Sequence, residues 1–241
     1  MAANAHLTYH SDRAITVGQF QPNMGYKPNY SYAGPDIDEF QTFLRNCPMR
    51  GSLIDIGIPG WLRREDALKL YELARFAEGD ILEFGTNEGL SAYILANAVA
   101  NSGRKAEIVS MELSPEISAT AHKNLTAHGV NGTIRLEVGD ADATCQRLVD
   151  SNRKFGFSFI DHSHAYEHVV KACHRLKQLI EPGSFCVFHD YNDKRNSRRT
   201  GLGETSNEYG IIAGIEDSLD TNLFEFVGIY GCCGVFRRKD I

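Results

Sequence analysis

Two short polar segments, each next to an apolar run, carry side chains suited to acid–base or metal chemistry. Asp161 and His164 follow one apolar run, and His189 and Asp190 end another. If the two runs are neighbouring strands, Asp161 and Asp190 lie side by side, and such a crowd of charge indicates a functional site. Two carboxylates can share a divalent cation that lowers the pKa of a bound hydroxyl. Alternatively, a histidine removes the proton directly.

Acids and glycines also end three other apolar runs. The first run leads into Glu83–Gly89, where Gly85 and Gly89 let the backbone approach a ligand closely. The other two runs end at Glu112, which could accept hydrogen bonds from ribose hydroxyls, and at Asp140, which could accept one from an exocyclic amine. The glycine spacing lacks both the G-x-G-x-x-G of dinucleotide folds and the G-x-x-x-x-G-K of nucleotide-phosphate loops. These strand ends together predict a site for an adenosine-containing ligand.

The elements that would position these residues alternate along the chain. Near-continuous apolar strands are predicted at Asp80–Gly85, Ala106–Met111, Thr133–Val138, Phe155–Asp161 and Ser184–His189. Helices are predicted at Gly89–Asn101, Pro115–His128, Ala141–Asp150, Ala165–Ile180 and Glu208–Leu219. This alternation predicts an α/β fold with a parallel sheet covered on both faces. The last two strands, Leu223–Val227 and Gly231–Arg237, are too close for a crossover helix and predict a terminal antiparallel hairpin.

Two segments outside this pattern could close over a ligand. Residues 1–35 are rich in Asn, Tyr, Gly and Pro and predict an irregular arm that docks on a partner subunit or on the active-site mouth. Helices are predicted at Asp36–Cys47 and Arg63–Ala77, with a Gly/Pro-rich stretch between them. We therefore expect an N-terminal unit at 1–62 and the main domain at 63–241. The loop from Asn192 to Asn207 predicts a lid, with basic residues and hinge glycines at Lys194, Arg195, Arg198, Arg199, Gly201 and Gly203.

Composition narrows the class of protein. The chain has 241 residues and a net charge of −6, which argues against a nucleic-acid partner. Its apolar runs are too short to span a bilayer, and its first residues lack the pattern of a secretory signal. None of the six cysteines forms a C-x-x-C pair, so we expect reduced, buried thiols in a cytoplasmic protein.

The strand-end motifs, together with the terminal hairpin, resemble the class I S-adenosylmethionine-dependent methyltransferases over roughly residues 63–238. The resemblance implies a Rossmann-like, doubly wound sheet of seven strands. It also implies that Glu83 and Gly85 line the methionine part of S-adenosylmethionine, that Glu112 holds the ribose, and that Asp140 or Ala141 lies at the adenine. The full set of cofactor-binding residues expected from it is Glu83, Gly85, Thr86, Asn87, Gly89, Ser91, Glu112, Leu113, Asp140, Ala141 and Asp161.

The segment from Asp161 to Glu167, with Pro182-Gly183 and His189-Asp190, is similar to the group around macrocin O-methyltransferase and the cephalosporin-hydroxylase-like proteins. It more distantly resembles catechol O-methyltransferase. In the catechol enzymes, acids matching Asp161 and Asp190 hold magnesium, and a Lys stands at the place of His164. The resemblance thus implies Asp161 and Asp190 as metal ligands. We expect His164 as the general base, with His189 as the second choice. Two departures are Tyr191, where the catechol enzymes have Asn, and His189, where the macrocin-like enzymes have an acid.

Three functions remain open at this point. The first is methylation of a small-molecule hydroxyl, with a sugar or a natural product as the acceptor. The second is an adenosyl-binding relative with hydroxylase-like activity or none. The third is an NAD-dependent oxidoreductase, which the incomplete glycine motif and the terminal hairpin disfavour. The aromatic arm and the antiparallel edge of the sheet are the features that suggest a homodimer.

Overall fold

A computed structural model describes residues 38–196 and 208–241. The predicted arm and the larger part of the predicted lid lie outside these residues. The strands are β1 (Met49–Arg50), β2 (Leu53–Ile54), β3 (Ile81–Phe84), β4 (Ile108–Glu112), β5 (Ile134–Val138), β6 (Phe155–Ile160), β7 (Ile180–Phe188), β8 (Phe224–Tyr230) and β9 (Cys233–Arg238). The helices are α1 (Glu39–Asn46), α2 (Arg64–Phe76), α3 (Leu90–Ser102), α4 (Pro115–Ala127), α5 (Ala141–Asp150), α6 (Tyr166–Leu179) and α7 (Ile211–Ser218).

Seven strands form one sheet in the order β5-β4-β3-β6-β7-β9-β8. Strands β3 to β7 pair in parallel, whereas β9 is antiparallel to both β7 and β8. The predicted α/β fold with its terminal hairpin is therefore confirmed. Because β3, β6 and β7 are neighbours, the residues at their carboxyl ends meet at one edge of the sheet.

Alternate strand residues pack into two hydrophobic cores. Leu82 and Phe84 belong to the core that contains Leu176 of α6, while Ile81 belongs to the core that contains Leu95 of α3. This alternation follows from the two-residue period of a strand, and it places helices on both faces of the sheet. The second core also includes residues on α1 and in the segment before α2, namely Leu44, Cys47, Ile54, Ile58 and Leu62.

Several predicted boundaries are wrong near turns. The last helix begins at Ile211 rather than at Glu208. Tyr209 instead forms a β-bridge with Asn196, and the amides of Tyr209 and Gly210 donate to Arg195 O and His164 O. Strand β8 continues to Tyr230, so the turn of the terminal hairpin lies at Gly231, whose φ is +59°.

Two further boundaries differ from the predictions. Strand β7 begins at Ile180 rather than at Ser184, since an irregularity in its pairing with β6 accommodates Pro182 and Gly183. The Gly/Pro-rich stretch before α2 contributes strand β2 to a small antiparallel β1–β2 hairpin, in which Leu53 pairs with Arg50.

Two composition-based predictions bear on the described residues. All six cysteines are buried and free, as expected for reduced thiols. Within residues 38–196 and 208–241, none of the helices has the length and apolar character needed to cross a membrane.

Candidate active site

Two adjoining cavities lie at the carboxyl edge of the parallel strands. The first, of about 290 Å³, is lined by the ends of β3, β4 and β5 and by residues of α6. The second, of about 680 Å³, is lined by the ends of β6 and β7 and by the segment before α2. Gly85, Glu112 and His162 line both cavities. A ligand in the first cavity can therefore reach a second molecule in the other one.

Gly85 permits the close approach of two strand ends. Its φ is +91°, and a Cβ at this position would lie 2.3 Å from the carbonyl oxygen of Asp161. The amides of Gly85 and Thr86 donate to Met111 O at 2.9 and 3.0 Å. Any larger residue would push the β3 turn away from β6, so the glycine is required for the shared wall of the cavities.

Glu83 is fully buried beneath this turn. Ser110 Oγ donates to its Oε2 at 2.5 Å, while its Oε1 has no hydrogen-bond partner. Burial raises the pKa of Glu83 to about 7, against the lowering effect of its hydrogen bond from Ser110. An unpartnered carboxylate oxygen in this position fits a ligand that brings a cationic donor.

Glu112 ends β4 between the cavities. Its two carboxylate oxygens accept hydrogen bonds from the amides of Asn87, at 2.9 Å, and Ser114, at 3.0 Å. These amides fix the carboxylate while each oxygen keeps a second lone pair for a ligand hydroxyl. Leu113 beside it is 72% exposed and lines the first cavity.

Asp140 and Ala141 stand at the far end of the first cavity. The Asp140 side chain accepts the Ala143 amide at 2.8 Å and thus caps α5. Its position at the cavity wall is therefore fixed by a helix cap as well as by the strand end.

His162 forms part of the wall between the cavities. Burial, together with the smaller effects of the nearby His168 and His164, lowers the pKa of His162 to about 4. The imidazole is therefore neutral at neutral pH, with one ring nitrogen as a hydrogen-bond donor and the other as an acceptor.

His189 is surrounded by three carboxylates. Its Nδ1 lies 3.3 Å from Asp161 Oδ1 and 3.4 Å from Asp190 Oδ2, and its Nε2 lies 3.5 Å from Asp66 Oδ2. Burial alone would lower the pKa of His189, but the charge of Asp161 and contacts with all three acids raise it well above its ordinary value. His189 is therefore an imidazolium at neutral pH.

His164 lies at the surface of the second cavity. Its Nε2 is 3.0 Å from Asp190 Oδ2, and its ring stacks on that of Tyr209. Asp190 is held at φ +52° and Asn87 at φ +46°, two left-handed conformations at the cavity wall. Non-glycine residues in that region cost energy and concentrate at functional sites.

The structure brings most of the expected residues to the cavities. Gly85, Asn87, Glu112, Leu113, Asp140, Ala141, Asp161, His164, His189 and Asp190 line one or both of them. Glu83, Thr86, Gly89 and Ser91 line neither cavity: Thr86 Oγ1 bonds Ser110 Oγ, and Gly89 is the N-cap of α3. Tyr191 is buried against Phe226 and Phe236.

The sequence analysis missed four residues of the second cavity's surroundings. Asp66 is fully buried beside His189, Cys232 lies 3.5 Å from Asp190, Trp61 is 72% exposed at the cavity wall, and Tyr209 lies on His164. Nothing in the local sequence distinguishes Asp66, because Arg63, Arg64 and Glu65 precede it and acids are common in the first turn of a helix. All four residues follow only from the tertiary fold.

The chain is similar to known methyltransferases in sequence and in fold. Residues 82–191 match a family model described as a methyltransferase domain. A catechol O-methyltransferase of Niastella koreensis is 26% identical over 192 residues, covering 74% of this chain and 81% of the relative. A rhamnosyl O-methyltransferase of Mycobacterium bovis is 24% identical over 208 residues, covering 83% and 80%.

A solved O-methyltransferase from Bacillus cereus in complex with SAH shares the fold. Its TM-score is 0.56 at 20% sequence identity, and the alignment covers 74% of this chain and 83% of that one. The chain thus matches these proteins over most of their length.

Proposed function

We propose, from the premise that this chain is a class I S-adenosylmethionine-dependent O-methyltransferase, that it methylates a hydroxyl of a small molecule with His164 as the base. The observation that carries the proposal is the pair of adjoining cavities. One is lined by the strand-end acids suited to an adenosyl group, and the other contains the His164–Asp190 pair. A methyl donor in the first and an acceptor in the second would meet at Gly85 and His162.

The residues present fit S-adenosylmethionine. Glu112 has lone pairs available to ribose hydroxyls, and Glu83 Oε1 is a buried acceptor without a partner. We assign Glu112 to the ribose hydroxyls, and Glu83 to the ammonium group of the methionine part, which it would contact directly or through water. The cofactor supplies an electrophilic methyl group on a sulfonium, so the protein needs only to align the acceptor and remove its proton.

His164 can remove that proton. With Nε2–H directed at Asp190, Nδ1 carries the lone pair and takes the hydroxyl proton. With S-adenosylmethionine bound, the oxygen would form a bond to the methyl carbon as the carbon–sulfur bond breaks, which would give the methyl ether, S-adenosylhomocysteine and an imidazolium. Asp190 stabilises that imidazolium, and its own pKa lies well below the usual range because His164 and His189 outweigh the effect of burial.

His189 is less suited to this step than we expected from the sequence. It is 4% exposed, and its raised pKa leaves it protonated at neutral pH. We assign it instead to balancing the charges of Asp161 and Asp190.

A divalent cation is a second way to activate the hydroxyl. Ligand atoms of Asp161, His164 and Asp190 all lie within 4.8 Å of one another. Two carboxylates with an imidazole fit Mn²⁺, Fe²⁺ or Zn²⁺ better than Mg²⁺, whose preferred ligands are oxygens. A cation there would act as a Lewis acid on the acceptor hydroxyl.

We propose a ring-shaped, hydroxylated acceptor. The two curated relatives are named for a catechol and a rhamnosyl group, both small rings with hydroxyls. The second cavity offers Trp61, Leu53 and Ile117 to an apolar ring face and acids to its hydroxyls. We keep a cytoplasmic location and a homodimer as proposals, the first supported by six free cysteines.

Calorimetry with S-adenosylmethionine, S-adenosylhomocysteine and NADH, in EDTA and then in Mn²⁺ or Mg²⁺, tests the cofactor. We expect both adenosyl compounds to bind and NADH not to. Binding of NADH alone would overturn the proposal. Methyl transfer to catechols and rhamnosides is then assayed for the wild type and His164→Ala. Loss of turnover with unchanged cofactor affinity supports the base, whereas activity that EDTA abolishes and Mn²⁺ restores supports the cation.

A further inference from the structure

We propose that Tyr209 is a positioning residue that holds the ring of His164 in the orientation needed to accept a proton. This inference rests on the proposed function of His164 as the base. It assigns a role to a residue on the segment before α7, which is far from His164 in sequence. It also gives a purpose to the guanidinium of Arg195, which the reaction itself does not use.

The two rings are in parallel contact. The centroids of His164 and Tyr209 lie 4.0 Å apart, and the angle between the ring planes is 8°. The guanidinium carbon of Arg195 lies 4.1 Å from the centroid of the same Tyr209 ring. Two flat groups at this distance cannot occupy one face of a ring, so Tyr209 lies between Arg195 and His164.

The stack and the carboxylate constrain the imidazole in different directions. Asp190 Oδ2 contacts the edge of the His164 ring at Nε2, whereas Tyr209 covers one of its faces. Rotation about the bond that carries the ring would break both contacts. The His164 side chain is 36% exposed, so these two contacts hold a ring that lies partly in solvent.

Hydrogen bonds to main-chain carbonyls hold the parts of this stack together. Gly210 N donates to His164 O at 2.8 Å, and Tyr209 N donates to Arg195 O at 2.9 Å. Asn196 Nδ2 donates to Asp190 O at 2.6 Å. The base, its carboxylate and the tyrosine are therefore tied to one another through the main chain.

Asp193 fixes the outer member of the stack. It accepts from Arg195 Nε at 2.8 Å and from Nη2 at 3.0 Å, in a bidentate pair. The pair holds the guanidinium over the Tyr209 ring. It also neutralises the positive charge of Arg195, which would otherwise oppose the imidazolium formed when His164 accepts a proton.

The experiment compares Tyr209→Ala with Tyr209→Phe. Because the flat ring makes the contact, we expect Phe to keep kcat within about threefold and Ala to lower it about 10- to 100-fold, the cost of a misplaced catalytic group. KM for the acceptor and Kd for S-adenosylmethionine should stay within about threefold in both variants, since a misoriented base affects the chemical step. Arg195→Ala should lower kcat in the same direction and provides the measurement if Tyr209→Ala does not fold.

Tyr93→Ala is the matched control. It removes another tyrosine–histidine ring contact, 5.1 Å from His128 and outside both cavities, so kcat should not change. Equal losses in Tyr209→Ala and Tyr209→Phe would assign the effect to the hydroxyl and overturn the proposal. Unchanged kcat with a raised KM would make Tyr209 an acceptor contact instead. If His164→Ala stays active, the base itself is wrong; if it is inactive while Tyr209→Ala and Arg195→Ala keep full kcat, only the positioning role is wrong.

Discussion

The carboxylate of Asp66 lies 3.5 Å from Nε2 of His189 and connects the first turn of α2 to the end of β7. Asp66 is fully buried, and its Oδ1 accepts the amide of Cys232 at 2.6 Å, while its Oδ2 accepts that of Arg63 at 2.8 Å. A helix that contributes nothing to the cofactor cavity thus supports the acid–histidine cluster from behind.

We expect Asp66→Asn to lower the free energy of unfolding by about 3 kcal/mol near pH 6, because it removes a buried partner from a charged imidazole. The pKa of His189 is raised in the folded state, so its stabilising contribution is full below the unfolded pKa of about 6.5. That contribution is lost as pH rises through the folded pKa. The difference between wild type and variant, measured by urea unfolding in EDTA, should therefore shrink in alkaline buffer. A difference that grows with pH would contradict a protonated His189.

Gly85→Ala should abolish binding of S-adenosylmethionine and destabilise the fold by about 1–3 kcal/mol. The added Cβ would lie 2.3 Å from Asp161 O, at a φ of +91° that L-residues rarely adopt. Gly103→Ala is a matched control, with a φ of +72° but open space around its Cβ. Both variants place alanine at a positive φ, but only Gly85→Ala adds a steric clash. Calorimetry and thermal unfolding of the two variants therefore separate the cost of the backbone conformation from the cost of the clash. Normal binding by Gly85→Ala would mean that the shared wall of the cavities is not needed.

Glu112→Ala should weaken S-adenosylmethionine binding about 10- to 100-fold, the effect of losing one charged hydrogen-bonding group. Part of this loss comes from Asn87 and Ser114, whose amides lose their acceptor. Glu116→Ala removes an exposed acid close by on α4 and should leave the affinity unchanged. Equal affinities for wild type and Glu112→Ala would rule out the ribose assignment.

Glu83→Gln should change how stability depends on pH. The pKa of Glu83 is raised to about 7, so the unfolded chain releases this proton first and the wild type loses stability between about pH 4.5 and pH 7. Glutamine cannot ionise. The free energy of unfolding of Glu83→Gln minus that of the wild type should therefore increase by about 2–3 kcal/mol between pH 5 and pH 8. Urea unfolding at several pH values gives this difference directly. A constant difference would show that Glu83 ionises normally.

The sequence was sufficient for the residues whose place depends only on strand ends. Glu112, Asp161 and Asp190 end apolar strands, and parallel strands must bring their carboxyl ends to one edge. The place of Asp66 depends on how α2 packs against the sheet, and no local pattern specifies that packing. Tyr209 was expected inside a helix, but hydrogen bonds to residues distant in sequence hold it in front of that helix and on His164.

The pairing of Asn196 with Tyr209 has a consequence for how such an enzyme can diversify. Asn196 Oδ1 also accepts the amide of Ile212, so both ends of the intervening segment are fastened beside the proton acceptor. These contacts join Asn196 directly to Tyr209 and Ile212 and use none of the residues numbered 197 to 207. An exchange of that stretch between relatives therefore leaves the anchoring of Tyr209 beside His164 unchanged, and it tests whether the stretch sets the acceptor preference.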